Sequence, residues 1–243
     1  MFRIGKFRFV EVCSEELRKA TYRLRYQVFV EEYGFEAHED HPSGYETDSY
    51  EDHSIHFAAL DDEDKVVGTI RLVLPSANGL PIAHAVSSLM TDCMSDQGTG
   101  IAEISRLAVD KTCRRRQEDG LFGVESYLLE SEGGILPDTE PVPENHGRRR
   151  RPVIILGLFR IMYYASKQRD ISHWYMIGEK KLYCALKKYG FSFRQLGAPL
   201  EYHGIRIPGM AVIREVEDSL CQSRPDVFGL IVRHMKEHHR PQP

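Results

Sequence analysis

A glutamate, a serine and an arginine interrupt an otherwise apolar run, Ile101-Ala102-Glu103-Ile104-Ser105-Arg106-Leu107-Ala108-Val109. The run reads as a buried strand, and a charge in such a strand is costly unless it is paired or used. Each of the three groups suits a chemical task. A carboxylate whose pKa is lifted by burial can take a proton from an amine, directly or through a water. A hydroxyl can hydrogen-bond a polarised carbonyl, and a guanidinium can grip a carboxylate with two parallel bonds. Strand alternation puts Glu103 and Ser105 on one face and Arg106 on the other, unless a bulge re-aims them. The competing reading is an edge strand with a solvated polar face.

Further blocks bear on that choice. Leu24-Arg25-Tyr26-Gln27-Val28-Phe29-Val30-Glu31-Glu32-Tyr33-Gly34-Phe35 is followed by Glu46-Thr47-Asp48-Ser49-Tyr50-Glu51-Asp52, then by Val67-Gly68-Thr69-Ile70-Arg71-Leu72. With Glu103-Ile104-Ser105-Arg106, this succession resembles the acyl-homoserine-lactone (autoinducer) synthases and the N-acyl amino acid synthases, members of the GNAT-like acyltransferase superfamily. The resemblance is dense over residues 20–110. Later, Gly190-Phe191 and Gly197-Ala198-Pro199-Leu200-Glu201-Tyr202-His203-Gly204 are similar to the acyltransferases of PEP-CTERM/exosortase systems.

The resemblance implies a fatty acyl group moved from an acyl-carrier-protein or coenzyme A thioester to the amine of a small acceptor such as an amino acid. It makes Glu103 the base. Ser105 would bond the thioester oxygen or the acceptor, and Arg106 would hold the acceptor's carboxylate or orient Glu103, with Arg71 beside it. Arg25, Phe29, Phe35, Asp48 and Glu51 (Asp52 as a fallback) would form the acceptor side. Phe35 stands where the lactone synthases usually carry tryptophan. Each assignment has a structural alternative. Glu103 would pair with Arg106 or Arg71, Ser105 would satisfy backbone, Arg25 would bridge to Glu31 or Asp48, and Phe29 would be core. The arginines and carboxylates would then form an ion-pair network that shapes the site without touching reacting atoms. His53 and His56 form an H-x-x-H pair with no further ligand set, so no metal site is expected.

On the donor side, coenzyme A-binding acetyltransferases cradle pyrophosphate with an R/Q-x-x-G-x-G/A turn opening a helix. Arg114-Arg115-Arg116-Gln117-Glu118-Asp119-Gly120 begins that way, but its glycine pattern fails. Arg114, Arg115 and Arg116, with Arg148–Arg151, would instead complement an acidic acyl carrier protein presenting acyl-phosphopantetheine. The alternative is a solvated basic loop. No tightly bound cofactor is implied. Two rival functions stand beside this one: a true acyl-homoserine-lactone synthase using S-adenosylmethionine, and a non-catalytic acyl-binding or sensing module.

The elements that must position these groups follow from the remaining pattern. Phe7–Val12 reads as a strand. Ser14 caps a helix running to about Glu32, with Glu15 and Glu16 in its first turn and Gly34 stopping it. Residues 36–53 read as an acidic, histidine-containing ordered loop or lid. Strands are predicted over Ser54–Leu60, Lys65–Leu74, the Glu103 run, Ser172–Ile177, Phe191–Leu196 and Met210–Val216. Helices are predicted near Val86–Met94, over Val153–Lys167 with Pro152 in the first turn, over Glu179–Tyr189, and over Glu217–Lys236. This order fits an α/β (α+β) single domain, with a central, mixed but mostly antiparallel sheet flanked by helices. GNAT-like is the name the resemblance gives it. The expected domain spans 1–216 with a basic-flanked insertion at 112–152, followed by a peripheral helix and tail at 217–243.

Composition excludes some classes. Of 243 residues, 42% are hydrophobic and 28% charged, and the net charge is −4. A pI near 6.3 argues against bulk nucleic-acid binding. Five scattered cysteines show no disulfide or zinc spacing. The first residues lack a signal peptide's apolar core, and no run approaches the roughly 18 apolar residues that span a bilayer. The expectation is a cytoplasmic protein without a transmembrane segment.

Overall fold

The computed structural model describes residues 1–86, 100–113, 150–233 and 235–241. Arg114–Arg116, most of the 112–152 insertion and the helix expected near Val86–Met94 lie outside the described residues, apart from Val86 itself, residues 112–113 and the helix start at Arg150. The backbone divides into two compact units, 1–72 with 106–162, and 73–105 with 163–243.

In the first unit, β1 (Phe2–Ile4) and β2 (Phe7–Glu11) form an antiparallel hairpin, and β2 pairs antiparallel with β3 (Ser54–Leu60). β4 (Val66–Val73) follows, and β5 (Ile101–Val109) contributes its later half. Helix α1 spans Glu15–Tyr26, and the Ser14 hydroxyl accepts from the Leu17 amide at 3.2 Å as its N-cap. Leu24 and Val28, at four-residue spacing on this segment, pack with Val12, Ala58, Leu60, Val66 and Ala108. The expected continuation of this α-helix to Glu32 is corrected. After Tyr26 the chain winds as a π-helical turn, Gln27–Glu32, in which the Tyr33 amide reaches back to the Val28 carbonyl. The wider turn sets Phe29 beside Phe35, and Gly34 closes it at φ +60°.

A short five-residue helix, Pro81–Ala85, belongs to the second unit, and the long helix α2 runs from Arg150 to Lys167. Its N-terminal part lies in the first unit. There Gly157 lets the Phe9 ring approach so closely that an added Cβ would stand 2.1 Å from it. Glycine in a helix ordinarily costs about 1 kcal/mol relative to alanine. Here overpacking outweighs that gain, and Gly157→Ala is expected to destabilise by roughly 1–3 kcal/mol. Chemical denaturation with an unchanged m-value but a lower midpoint checks it.

In the second unit, the first half of β5 pairs in parallel with β6 (His173–Gly178), Glu103 opposite Tyr175. β6 pairs antiparallel with β9 (Ile205–Val212), which also takes β7 (Arg194–Gln195) and β8 (Leu200–Glu201). Helix α3 (Lys180–Lys188) follows β6, and α4 (Ile213–Ser223) and α5 (Pro225–Val232) complete the order. The strand expected over Phe191–Leu196 shrinks to two residues. The last strand starts at Ile205 rather than Met210, and Ile213, Val216 and Leu220 form the buried face of a helix. The architecture is mixed α/β, with a central, mostly antiparallel sheet flanked by helices, as the sequence implies.

Candidate active site

In the first unit, three arginines and three carboxylates close into a ring. Arg25, in the last turn of α1, donates from Nε to Glu46 Oε2 at 2.5 Å and from Nη2 to Glu51 Oε1 at 2.8 Å. Arg71, on β4, donates from Nη1 to that same Glu51 oxygen at 2.9 Å. It also grips both oxygens of Asp48, at 2.7 and 2.8 Å. Arg106, on β5, donates from Nε to Glu46 Oε1 at 2.9 Å, and its Nη2 lies 3.1 Å from Asp48 Oδ2. Each carboxylate thus bridges two arginines, and the six formal charges cancel.

The ring is anchored on one side and accessible on the other. The side chains of Arg25 and Glu46 are fully buried and that of Arg71 is 1% exposed, whereas Arg106 and Asp48 are about a fifth exposed. Beside the accessible part, the Arg106 guanidinium stands over the Phe29 ring at 5.8 Å, and Phe29 stacks on Phe35. Glu36 lies 3.5 Å from Arg106 Nη2.

Arg106 itself has φ +51°, inside a strand. A non-glycine residue held there costs about 1–3 kcal/mol, so the surrounding contacts must over-determine it. Two bridging carboxylates and an aromatic face do so. The left-handed residue breaks the period-two alternation expected along β5.

Burial alone would raise the carboxyl pKa values, but the arginines outweigh it. Arg25 and Arg106 hold Glu46 below the usual range, Arg71 does the same for Asp48, and His56 with Arg25 holds Glu51 well below it. For Arg25, burial disfavours the charge while Glu46 and Glu51 more than restore it. A carboxylate depressed on folding contributes stability above its unfolded pKa of about 4 and loses it as pH falls through the folded value. The ring's contribution should therefore be constant at neutral pH and vanish only in strong acid. Thermal melts of the protein and of Asp48→Asn should differ above about pH 5 and converge as the pH falls below the ordinary carboxylate range.

The second unit holds Glu103. Its side chain is buried, 3% exposed by residue, and Oε2 accepts from the Ile82 amide at 2.7 Å. Ser105, two residues on, is half-buried. Tyr183, on α3, places its hydroxyl 2.6 Å from the Met176 carbonyl and 2.9 Å from that of Ile207. Burial, and then the charge of Glu103, push this phenol above its usual range.

Five of the residues expected on the acceptor side or beside it, Arg25, Asp48, Glu51, Arg71 and Arg106, are brought together, with Phe29 and Phe35 alongside. The partners expected for Arg25, Glu31 or Asp48, are corrected to Glu46 and Glu51. The two-residue spacing Glu46-x-Asp48 was the available signal for Glu46, because three arginines need three carboxylates. His56 and Tyr183 had no assigned role. Among the described residues, no group of three or more His, Cys, Asp or Glu side chains is arranged to hold a metal ion, and no helix is long and apolar enough to cross a membrane.

Residues 24–122 match the family model of the acetyltransferase (GNAT) domain, a span holding every ring residue and Glu103. A comparison with curated protein sequences finds no match. Among solved structures, the chain is similar to FeeM, an N-acyl amino acid synthase from uncultured soil microbes. The TM-score is 0.58 at 14% identity, over 90% of this chain and 97% of that one. It is also similar to the acyl-homoserine-lactone synthase LasI, with a TM-score of 0.57 at 14% identity over 89% and 95%. A third likeness is to BjaI, a CoA-dependent acyl-homoserine lactone synthase solved with SAM and isopentyl-CoA, with a TM-score of 0.56 at 18% identity over 95% and 89%. At such identities the likeness is one of fold. The chain therefore has a GNAT-like fold, and residues 24–122 match the GNAT domain model.

Proposed function

We propose that the chain is an N-acyltransferase that moves a fatty acyl group from a phosphopantetheine thioester to the amine of a small acceptor, an amino acid or a derivative of one. The observation that carries this reading is Glu103, a buried carboxylate on an apolar strand of a GNAT fold. In the reaction the acceptor nitrogen attacks the thioester carbonyl, the C–N bond forms and the C–S bond breaks. The proton lost by the amine passes to Glu103, and the thiol departs with a proton. Within the ring, Arg106 and Asp48 are the most exposed members, and they are assigned to the acceptor's carboxylate and ammonium. Arg25, Glu46 and Arg71 hold them in place from below. Phe29 and Phe35 exclude water. Ser105 is assigned to the thioester oxygen.

For the donor, an acyl carrier protein is favoured by the arginine clusters and the failed glycine turn in the sequence. Coenzyme A is favoured by the likeness to BjaI, which is described as CoA-dependent. A place beside an exosortase system rests on the 197–204 motif, whose Tyr202-His203-Gly204 forms the turn between β8 and β9 with His203 and Gly204 at positive φ. Expression in a bacterial host, followed by mass spectrometry of lipid extracts, tests the reading. New N-acyl amino acids support it. An acyl-homoserine lactone points to S-adenosylmethionine as acceptor, and the absence of any N-acyl compound points to an acyl-binding module.

A further inference from the structure

His56 lies on β3 with its side chain buried, 4% exposed, and belongs to no part of the chemistry above. Its backbone carbonyl accepts from the Val12 amide at 2.8 Å, and the Tyr22 ring meets the imidazole edge-on, at 5.6 Å and 83°. The backbone and one face of the imidazole are thus fixed. Nε2 and Glu51 Oε2 stand 3.0 Å apart, at hydrogen-bond distance but outside hydrogen-bond angle, and among the described residues neither of these atoms, nor Nδ1, has a hydrogen-bond partner. Glu51 therefore has two distinct ends. Oε1 takes both Arg25 and Arg71, and Oε2 faces His56.

We propose that His56 is a positioning residue of the acceptor-side ring, a neutral imidazole whose Nε2–H pins Glu51 so that one oxygen bridges Arg25 and Arg71. The inference rests on the reading of that ring as the acceptor side. The 3.0 Å approach favours the proton on Nε2, because a bare lone pair there would face a carboxylate oxygen. The neutral state follows from burial first, with the Arg25 and Arg71 charges acting in the same direction against Glu51. A third cation beside two buried guanidiniums would also upset the charge balance of the ring. Without His56, Oε2 loses that N–H, the shared contact to Arg25 and Arg71 loosens, and Asp48 loses the fixed arginine that aims it.

Two substitutions and one spectrum test this. His56→Gln keeps an N–H at the place of Nε2, and His56→Leu removes it. The loss of a hydrogen bond to a charged group corresponds to about 10–100-fold. His56→Leu is expected to raise the acceptor KM by that factor, with kcat and the donor KM near their original values. His56→Gln should restore the acceptor KM to within about threefold by the same hydrogen-bond argument. Long-range ¹H–¹⁵N spectra of the unmodified protein should show the Nε2–H tautomer. The inference is overturned by an Nδ1–H tautomer, by a folded His56→Leu protein with an unchanged acceptor KM, or by equal impairment of both variants. Should His56→Leu fail to fold, the spectrum and His56→Gln decide. An unmodified protein that makes no amide product defeats the acyltransfer reading instead, while the tautomer still tests the pinning of Glu51.

Discussion

Replacing Glu103 by glutamine is expected to slow amide formation by about 10²–10⁴-fold, the usual cost of losing a general base. Acyl-donor binding should stay near its original strength. The substitution is informative because of what the carboxylate already does. Glu103 Oε2 accepts from the Ile82 amide at 2.7 Å, and the glutamine carbonyl oxygen can accept that bond in the same place. The segment after Leu80 thus keeps its anchor while the base is lost. Glu103→Ala is the weaker experiment, since it removes the anchor too and leaves a buried N–H unsatisfied. Single-turnover kinetics with a preloaded donor separate the two roles. A glutamine variant that transfers its acyl group at the original rate would reduce Glu103 to an anchor for Ile82.

Arg25→Ala is expected to be the most damaging change to stability. Arg25 is fully buried, and its loss leaves two buried carboxylates short of a partner at once, Glu46 with no exposure and Glu51 with little. Breaking a buried ion pair costs about 3–5 kcal/mol. For a chain of this size that lowers the melting temperature by roughly 10 °C. Arg25→Lys should recover little, because one ammonium cannot reproduce the Nε and Nη2 fork that reaches two carboxylates. Differential scanning calorimetry of both variants, at matched pH and salt, gives the comparison. A melting temperature within 2–3 °C of the unmodified protein, on the same scaling, would show that the ring is not a stabilising unit.

The residue types of this site were legible in the sequence, and their pairing was not. Glu103 and Arg106 stood out because charges interrupt an apolar run. Arg25, Asp48, Glu51 and Arg71 stood out through the order of the blocks. What the sequence left open was which carboxylate meets which arginine. That depends on the path of the loop after α1, where the Glu46 amide bonds the Tyr22 carbonyl and draws the carboxylate under Arg25. The left-handed turn at Arg106 was equally hidden, because arginine carries no preference for positive φ. The π-helical turn was read as plain helix since its apolar spacing suits either winding.

The C-terminal strand was misplaced for a physical reason. Pro208 and Gly209 argue against a strand interior, yet β9 runs through both, with Pro208 opposite Ile177 and Gly209 opposite Met176. Gly209 is needed there because a Cβ would stand 2.8 Å from the Tyr183 hydroxyl. The residues read as the strand's end, Ile213 to Val216, instead begin a helix.

The central claim is that this chain joins an acyl thioester to an amine. It is tested most directly by following thiol release and amide formation together, in one reaction of purified protein with an acyl thioester and an amino-acid acceptor. Acyl-carrier-protein and coenzyme A donors should be run in parallel. The account predicts that thiol and N-acyl product appear in equal amounts with at least one donor. Both should depend on the acceptor, and both should be lost together in Glu103→Gln. Thiol released without amide, or no thiol released from either donor, would contradict it.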